Sequence, residues 1–144
     1  MTPEQIALVE ESLSSLRPQM PAIAADFYRR LFAAEPSLEA LFGREPADQQ
    51  RTFARELDAI MSSIRDHDAF RTEAESLGAR HRRYGVQPID YTRAGTHLIA
   101  ALGAALGERR CPALAEAWHL AYNLTVEVMI AGGTEDRPAT SRRP

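Results

Sequence analysis

The amino-acid sequence predicts an all-α protein, and three observations lead to this prediction. Apolar residues recur three and four positions apart along most of the chain, which is the spacing of one helix face. Proline and glycine divide these stretches into six or seven segments of helical length. No segment alternates polar and apolar residues as a strand does, and no strong hairpin turn is present.

Length and composition favour a single domain. With 144 residues, 44% of them hydrophobic, the chain is long enough to bury a core of its own. We expect this domain to span residues 1–133. The remainder, residues 134–144, contains proline, serine and arginine residues that bury nothing and is predicted to be a disordered tail.

Charge and cysteine content narrow the class of function. The net charge is −3 with acids and bases interspersed, so neither a nucleic acid nor an anionic membrane is predicted as a partner. No apolar run approaches the roughly 20 residues that span a bilayer. Cys111 is the only cysteine, so no internal disulfide forms, and the N-terminus lacks the pattern of a signal peptide. A reduced, cytoplasmic protein is therefore expected.

The second predicted helix carries a tyrosine, Tyr28, on its apolar face. Thr2 and Pro3 begin the first helix, and Pro18 and Pro21 mark the corner before the second. The apolar face of the second helix comprises Ala24, Phe27, Tyr28, Leu31 and Phe32. A tyrosine on this face needs a partner for its hydroxyl, which in most cores is a backbone carbonyl.

A polar residue begins the apolar face of the next long helix. Pro36 starts a short helical turn that ends at Leu41 and Phe42, and residues 43–48 form a predicted loop with Asp48 as helix cap. The face that follows comprises Gln49, Phe53, Leu57, Ile60, Met61 and Ile64. Near a helix start, the glutamine is either exposed to solvent or directed inward with the apolar residues.

The apolar face of the following helix ends on an imidazole. Apolar residues at positions 70, 74 and 77 are spaced as one helix face, and the next position on that face is His81. Gly85 permits a positive φ just past the helix, and Pro88 suits the first turn of the next one. His81 therefore faces inward beside a corner, either as a hydrogen-bonded core histidine or as a neutral ligand of a metal.

Two further helices complete the prediction. One runs from Pro88 to Gly107, with Tyr91 and Leu98 on its apolar face. The other starts at Pro112 and stops at two consecutive glycines, and its inward positions are Leu114, Trp118, Ala121, Tyr122, Thr125 and Met129.

The order of these inward residues resembles that of the bacterial globins, in particular the single-domain and flavohaemoglobin branch. The resemblance covers residues 3–132 and rests on four stretches in combination: Phe27-Tyr28-x-x-Leu31-Phe32, Leu41-Phe42, His81-x-x-x-Gly85-Val86-x-Pro88-x-x-Tyr91, and Ala117-Trp118 through Tyr122. It implies a globin fold and haem b, iron protoporphyrin IX, as cofactor.

Carried over residue by residue, the resemblance implies a role for each unusual position. His81 becomes the axial ligand of a five-coordinate haem iron, and Tyr28 and Gln49 become hydrogen-bond donors on the opposite, distal side. Phe42 lies against the porphyrin, and Phe53 lies over the distal face, where its bulk hinders ligand entry. Further haem contacts are implied for Leu57, Leu77, Arg80 through a propionate, Val86, Tyr91 and Leu98.

Such a pocket implies tight binding of oxygen. A hydrogen bond to a charged group contributes about 1.5–3 kcal/mol, and a tyrosine hydroxyl and a glutamine amide can both donate one. Tight binding suits scavenging, sensing or chemistry better than bulk transport. The resemblance implies oxygen, nitric oxide and carbon monoxide as ligands, and conversion of nitric oxide to nitrate as an activity.

One position departs from the family. The last helix of flavohaemoglobins carries a glutamate that is hydrogen-bonded with the axial histidine and its tyrosine neighbour, and Gly133 falls at that position here. No stretch suggests flavin or nicotinamide binding, so a separate flavin reductase is expected to supply electrons. A gas-sensing module and a haemless interaction protein of the same fold stay open as alternatives.

Overall fold

The computed structural model describes residues 1–42 and 45–141, with side chains as far as Gly132. Its six α-helices are α1 (Pro3–Leu16), α2 (Met20–Ala34), α3 (Pro46–Ser62), α4 (His67–Arg83), α5 (Pro88–Leu106) and α6 (Pro112–Ser141). Three short 3₁₀ helices are Arg17–Gln19, Pro36–Leu41 and Gly107–Arg109. The described residues contain no strand, so the all-α prediction is confirmed.

Local sequence explains most helix ends. The side chain of Thr2 caps α1, and that of Asp66 caps α4, each accepting a hydrogen bond from a first-turn backbone N–H. Gly85 has a φ of 91° and Gly107 a φ of 59°, a region that glycine enters without steric penalty. The predicted corner after α4 is thus present, and Pro88 begins α5 directly beyond it.

Two helix ends differ from those predicted. α3 begins at Pro46, so Asp48 lies inside the first turn instead of capping the helix, because proline suits the first helical position. α6 continues past Gly132 and Gly133 to Ser141, since an interior glycine costs about 1 kcal/mol without forbidding a helix. The domain boundary at residue 133 stays a prediction. Residues 43–44 of the predicted loop and residues 142–144 of the predicted tail lie outside the described residues.

The helices pack around one hydrophobic core. α4 lies along α6, while α2 contacts both α3 and α5. Backbone meets backbone at Gly78, where a Cβ would fall 2.1 Å from the carbonyl oxygen of Met129. No helix in the described part of the chain is long and apolar enough to cross a membrane.

Candidate functional site

A largely apolar cavity opens between α2 and α3 on one side and α4, α5 and α6 on the other. All the site residues predicted from the sequence line it, although they come from four helices and two connecting segments. These residues are Tyr28, Phe42, Gln49, Phe53, Leu57, Leu77, Arg80, His81, Val86, Tyr91 and Leu98. We call the side of Tyr28 and Gln49 the distal wall, and the side of His81 and Tyr91 the proximal wall.

Tyr28 and Gln49 are hydrogen-bonded to each other on the distal wall. The Gln49 side chain is half-buried, and its Nε2 donates to the Tyr28 hydroxyl oxygen at 3.1 Å. Of the two orientations that the sequence left open for Gln49, the structure has the inward one. This bond joins the first turn of α3 to the middle of α2.

Aromatic rings surround the Tyr28 ring. The ring centroids of Phe27, Phe32, Phe42 and Phe53 lie 4.9, 5.6, 5.4 and 5.6 Å from it. Phe53 also stacks on Phe27, with centroids 4.7 Å apart and planes only 14° apart. Aromatic pairs of this kind each contribute about 0.5–1.5 kcal/mol beyond the area they bury. The cluster therefore orients the tyrosine by packing.

His81 presents one ring nitrogen to the cavity. Its Nδ1 lies 2.9 Å from the carbonyl oxygen of Leu77 one turn earlier. Because a carbonyl only accepts, Nδ1 carries the proton and Nε2 keeps its lone pair. Nε2 forms no hydrogen bond to any described residue. The imidazole thus combines one satisfied nitrogen with one available nitrogen.

The surroundings of His81 keep it neutral. Burial lowers the pKa of His81 below its ordinary value, and this effect outweighs the hydrogen bond to Leu77 and the nearby Glu56 carboxylate, which raise it. A neutral imidazole is the form that binds a metal. The lowered pKa and the hydrogen bond at Nδ1 therefore both leave Nε2 without a proton.

Tyr91 and Tyr122 complete the proximal wall. The Tyr91 ring lies 6.0 Å from the His81 ring with planes 27° apart, and burial raises its pKa to about 12. The Tyr122 hydroxyl donates to the Tyr91 carbonyl oxygen at 2.5 Å. The sequence placed Tyr122 on an inward face but did not include it among the site residues. The signal available in the sequence was its place on the inward face of the last helix, within the stretch from Ala117 to Tyr122 that carries the resemblance.

Arg80 is paired with a residue that the sequence analysis did not single out. Its Nη2 lies 2.9 Å from Glu56 on α3, and its Nη1 donates to the Ser76 hydroxyl at 2.9 Å. Glu56 lies one turn beyond Phe53 and also lines the cavity. The guanidinium therefore links α3 to α4 at the cavity wall.

The residues present fit a haem group. Porphyrin is largely apolar and brings nitrogen ligands of its own, so the protein would need to offer an apolar space and one further donor to the iron. The cavity offers both, with the available Nε2 of His81 on one wall and the Tyr28–Gln49 pair on the other. Arg80 also lines the cavity, but its guanidinium is paired there with Glu56, and its contact with an acidic haem substituent stays a prediction.

Comparison with known proteins shows which family the chain is similar to over most of its length. A family model described as Globin matches residues 25–129. The chain is 29% identical over 133 residues to a flavohemoprotein of Bordetella pertussis, and 30% identical over 137 residues to one of Deinococcus radiodurans. Each alignment covers 90% of this chain and 33% of the relative. The chain thus spans about a third of the length of these relatives.

Solved structures of the same fold are similar over nearly the whole chain. A bacterial globin from Campylobacter jejuni has a TM-score of 0.85 at 21% identity, covering 95% of this chain and 99% of its own. An engineered carbene transferase, made from a candidate nitric oxide dioxygenase of Rhodothermus marinus, has a TM-score of 0.87 at 25% identity and 99% coverage of both chains. On the family match and the shared fold, this chain belongs to the globin family.

Proposed function

We propose that the protein binds haem b in this cavity, with His81 Nε2 as the axial ligand. One observation carries the proposal: the imidazole is neutral, donates through Nδ1 to Leu77, and leaves Nε2 available opposite the Tyr28–Gln49 pair. Bound haem supplies an iron that binds oxygen, nitric oxide and carbon monoxide and that exchanges electrons. The protein sets the access, polarity and orientation around it.

The distal wall is proposed to hold oxygen through Tyr28. Gln49 donates to the tyrosine oxygen, so the tyrosine proton points away from that bond. A hydroxyl that accepts one hydrogen bond becomes a better donor in another. The rings of Phe32, Phe42 and Phe53 make the space around the hydroxyl largely apolar. Tyr28 then acts as the donor to a gaseous ligand, and Gln49 orients and strengthens it.

Conversion of nitric oxide to nitrate is the activity that we propose for this pocket. Nitric oxide, oxygen and one electron combine to one nitrate ion, so each turnover needs a reductant. The similarity to flavohemoproteins and to a candidate nitric oxide dioxygenase favours this activity over simple storage of oxygen. The electron is proposed to come from a separate flavin reductase. The role of the chain's own residues is to hold the haem and to surround its ligands with a largely apolar cavity in which Tyr28 donates a hydrogen bond.

Absorption spectroscopy tests the haem proposal. The reduced protein should show a Soret band that shifts when oxygen or carbon monoxide is added. In His81→Ala, haem is held by apolar contacts alone, so we expect most of it to be lost on gel filtration. His119→Ala, at an exposed position on α6, is the matched control and should retain haem. An unchanged reduced spectrum in His81→Ala rules out His81 as the ligand.

A further inference from the structure

A cleft of about 410 Å³ lies between α3 and α4, next to the cavity. Five of the eight residues that line the cleft are polar or charged, whereas the cavity is lined mainly by apolar and aromatic side chains. The cavity and the cleft share one wall, which we call the boundary. Its residues are Thr52, Glu56, Ile60, Leu77 and Arg80.

An ion pair lies at the boundary. Arg80 Nη2 is 2.9 Å from a Glu56 carboxylate oxygen, and Arg80 Nη1 donates to the Ser76 hydroxyl at 2.9 Å. The Arg80 side chain is 37% exposed and the Glu56 side chain 26% exposed. A partly exposed ion pair contributes little net stability, because water competes for both charges. The pair can therefore open while the two helices stay in place.

Polar side chains lead along α3 to this ion pair. Gln49, Thr52 and Glu56 are spaced three and four positions apart, so they lie on one face of the helix, and all three line the cavity. Gln49 belongs to the distal wall through its hydrogen bond to Tyr28. The other two line both the cavity and the cleft. The largely apolar cavity thus has a polar face that runs from the distal wall to the cleft.

The product of the proposed reaction differs in charge from its substrates. Nitric oxide and oxygen are small and uncharged, so apolar walls do not hinder them. Nitrate carries a full negative charge, and an isolated ion in an apolar space is costly. Nitrate is also planar, and the planar guanidinium of arginine binds planar oxyanions through two parallel N–H donors. Of the described residues that line the cavity, only Arg80 carries a guanidinium.

We propose that Arg80 binds nitrate at the boundary as nitrate leaves the cavity, and that Glu56 competes with nitrate for the guanidinium. The inference rests on the proposed function, in which nitrate is the product. Nitrate approaches along the polar face of α3 and takes the place of the Glu56 carboxylate. The ion pair forms again once nitrate has passed into the cleft. Because one anion replaces another, the charge of Arg80 stays paired throughout.

The charges of the cleft suit release of an anion. Arg55 on α3 adds a second positive charge and Glu73 on α4 a second negative charge, both at exposed positions. Together with Arg80 and Glu56, they give the cleft two charges of each sign. A cleft with a net positive charge would retain an anion, whereas balanced charges hold it only briefly. We therefore expect weak, rapidly reversible binding of nitrate.

Two variants should change nitrate binding in opposite directions. Arg80→Gln removes the charge that nitrate contacts, so we expect binding about tenfold weaker or more. Glu56→Gln keeps the size of the side chain and removes the competing charge, so nitrate should bind about two- to fivefold more tightly. Asp58→Asn is the matched control, because Asp58 forms another ion pair of α3, with Arg17 at 2.9 Å, and lines neither the cavity nor the cleft. It should bind nitrate like the parent.

NMR titration of the full-length protein with sodium nitrate measures these affinities through the backbone N–H signals of residues 52, 56 and 80. Sodium chloride at the same ionic strength is the control anion, because it has the charge of nitrate without the planar shape. The titration is repeated on the reduced protein loaded with haem and carbon monoxide. A second readout is inhibition of nitric oxide consumption by added nitrate in the presence of a flavin reductase. This inhibition should be stronger than in the parent for Glu56→Gln and weaker for Arg80→Gln.

The outcomes separate this proposal from the proposed function. Equal nitrate affinity in Arg80→Gln and the parent overturns the proposal, as do equal signal shifts with chloride. Unchanged or weaker binding in Glu56→Gln overturns it too, since Glu56 is then no competitor. Loss of nitrate binding on loading with haem also overturns it, because Arg80 is then held by the haem. If nitrate binds as expected and the loaded protein consumes no nitric oxide, the proposed function fails and the binding site is supported. If nitric oxide is consumed and nitrate does not bind, the proposed function stands and the binding site is disproved.

Discussion

The distal and proximal walls of the cavity hold their central side chains by different contacts. On the distal wall, Tyr28 is packed among phenylalanine rings and hydrogen-bonded to the side chain of Gln49. On the proximal wall, His81 and Tyr122 bond to backbone carbonyls, and α4 contacts the α6 backbone directly at Gly78. The distal wall is formed by contacts between side chains. On the proximal wall, side chains and a glycine contact the backbone of the neighbouring element.

This difference predicts how substitutions on each wall affect the protein. A rotamer change can move a phenylalanine at modest cost, and aromatic pairs contribute about 0.5–1.5 kcal/mol each. A backbone carbonyl inside a helix cannot move without shifting the helix, because the surrounding core is close-packed. We therefore expect substitutions on the proximal wall to affect the fold, and substitutions on the distal wall to affect ligand binding.

The largest effect should come from Gly78→Ala. The added methyl group would fall 2.1 Å from the Met129 carbonyl oxygen and 2.6 Å from its carbon, so α4 must move away from α6. We expect a loss of about 3 kcal/mol or more in the free energy of unfolding, the upper range for overpacking a core. Urea denaturation followed by circular dichroism measures this loss.

Gly103→Ala is the control for the effect of glycine itself. Its Cβ would meet only the flexible Arg110 side chain, at 3.2 Å from Cδ, so the neighbour can give way. Alanine is favoured over glycine inside a helix by about 1 kcal/mol, so this variant should be as stable as the parent or slightly more so. Equal destabilisation of the two variants would contradict the account of the proximal wall.

The second largest effect should be on oxygen release. Tyr28→Phe removes the hydroxyl and keeps the aromatic cluster, so we expect oxygen to dissociate about tenfold faster or more, the equivalent of one charge-assisted hydrogen bond. Gln49→Leu should have a smaller effect, because Gln49 acts through Tyr28. Carbon monoxide carries less negative charge when bound and should respond less than oxygen in both variants.

Stopped-flow displacement of oxygen by carbon monoxide measures these rates. The parent and the two variants should have the same free energy of unfolding to within about 1 kcal/mol, the size of a single net hydrogen bond. If both variants release oxygen at the parental rate, the distal assignment is wrong. If Gln49→Leu has the larger effect, the order of the two donors is wrong.

The fold could be predicted from helical periodicity, which also indicates which face of each helix is inward. That residues as distant as Tyr28 and His81 would line one cavity was an expectation from the resemblance to bacterial globins, and the cavity is lined by both. Proline and glycine located most helix ends by their fixed or permissive φ angles. The end of α6 was predicted too early, because two glycines weaken a helix without ending it.

What could not be predicted is which inward residue meets which. The Tyr122–Tyr91 hydrogen bond and the Glu56–Arg80 ion pair depend on where two helices cross, and the crossing follows from the fit of all side chains along both. Arg80 was assigned from its place beside His81. In the structure it is turned toward α3, and its contact with a propionate stays a prediction.

The last effect that we predict appears only at alkaline pH and separates buried from exposed tyrosines. All 17 basic side chains other than histidine are arginine, which stays protonated above pH 12, so titration between pH 10 and 12 comes mainly from tyrosine. Tyr91 has its pKa raised to about 12 in the folded protein, by burial and by the neighbouring Asp90. In the unfolded chain its pKa is about 10.

The sign of the pH dependence follows from these two values. Between pH 10 and 12 the folded protein binds more protons than the unfolded chain, so the free energy of unfolding falls as pH rises. Tyr91→Phe removes this contribution and should flatten the slope by at most about one proton per molecule. Tyr84→Phe, at a residue that is 54% exposed, is the matched control. Urea unfolding midpoints measured at several pH values between 10 and 12 give the slope of the free energy of unfolding against pH for each variant. Equal slopes for Tyr91→Phe and Tyr84→Phe would show that the Tyr91 hydroxyl is not buried as described.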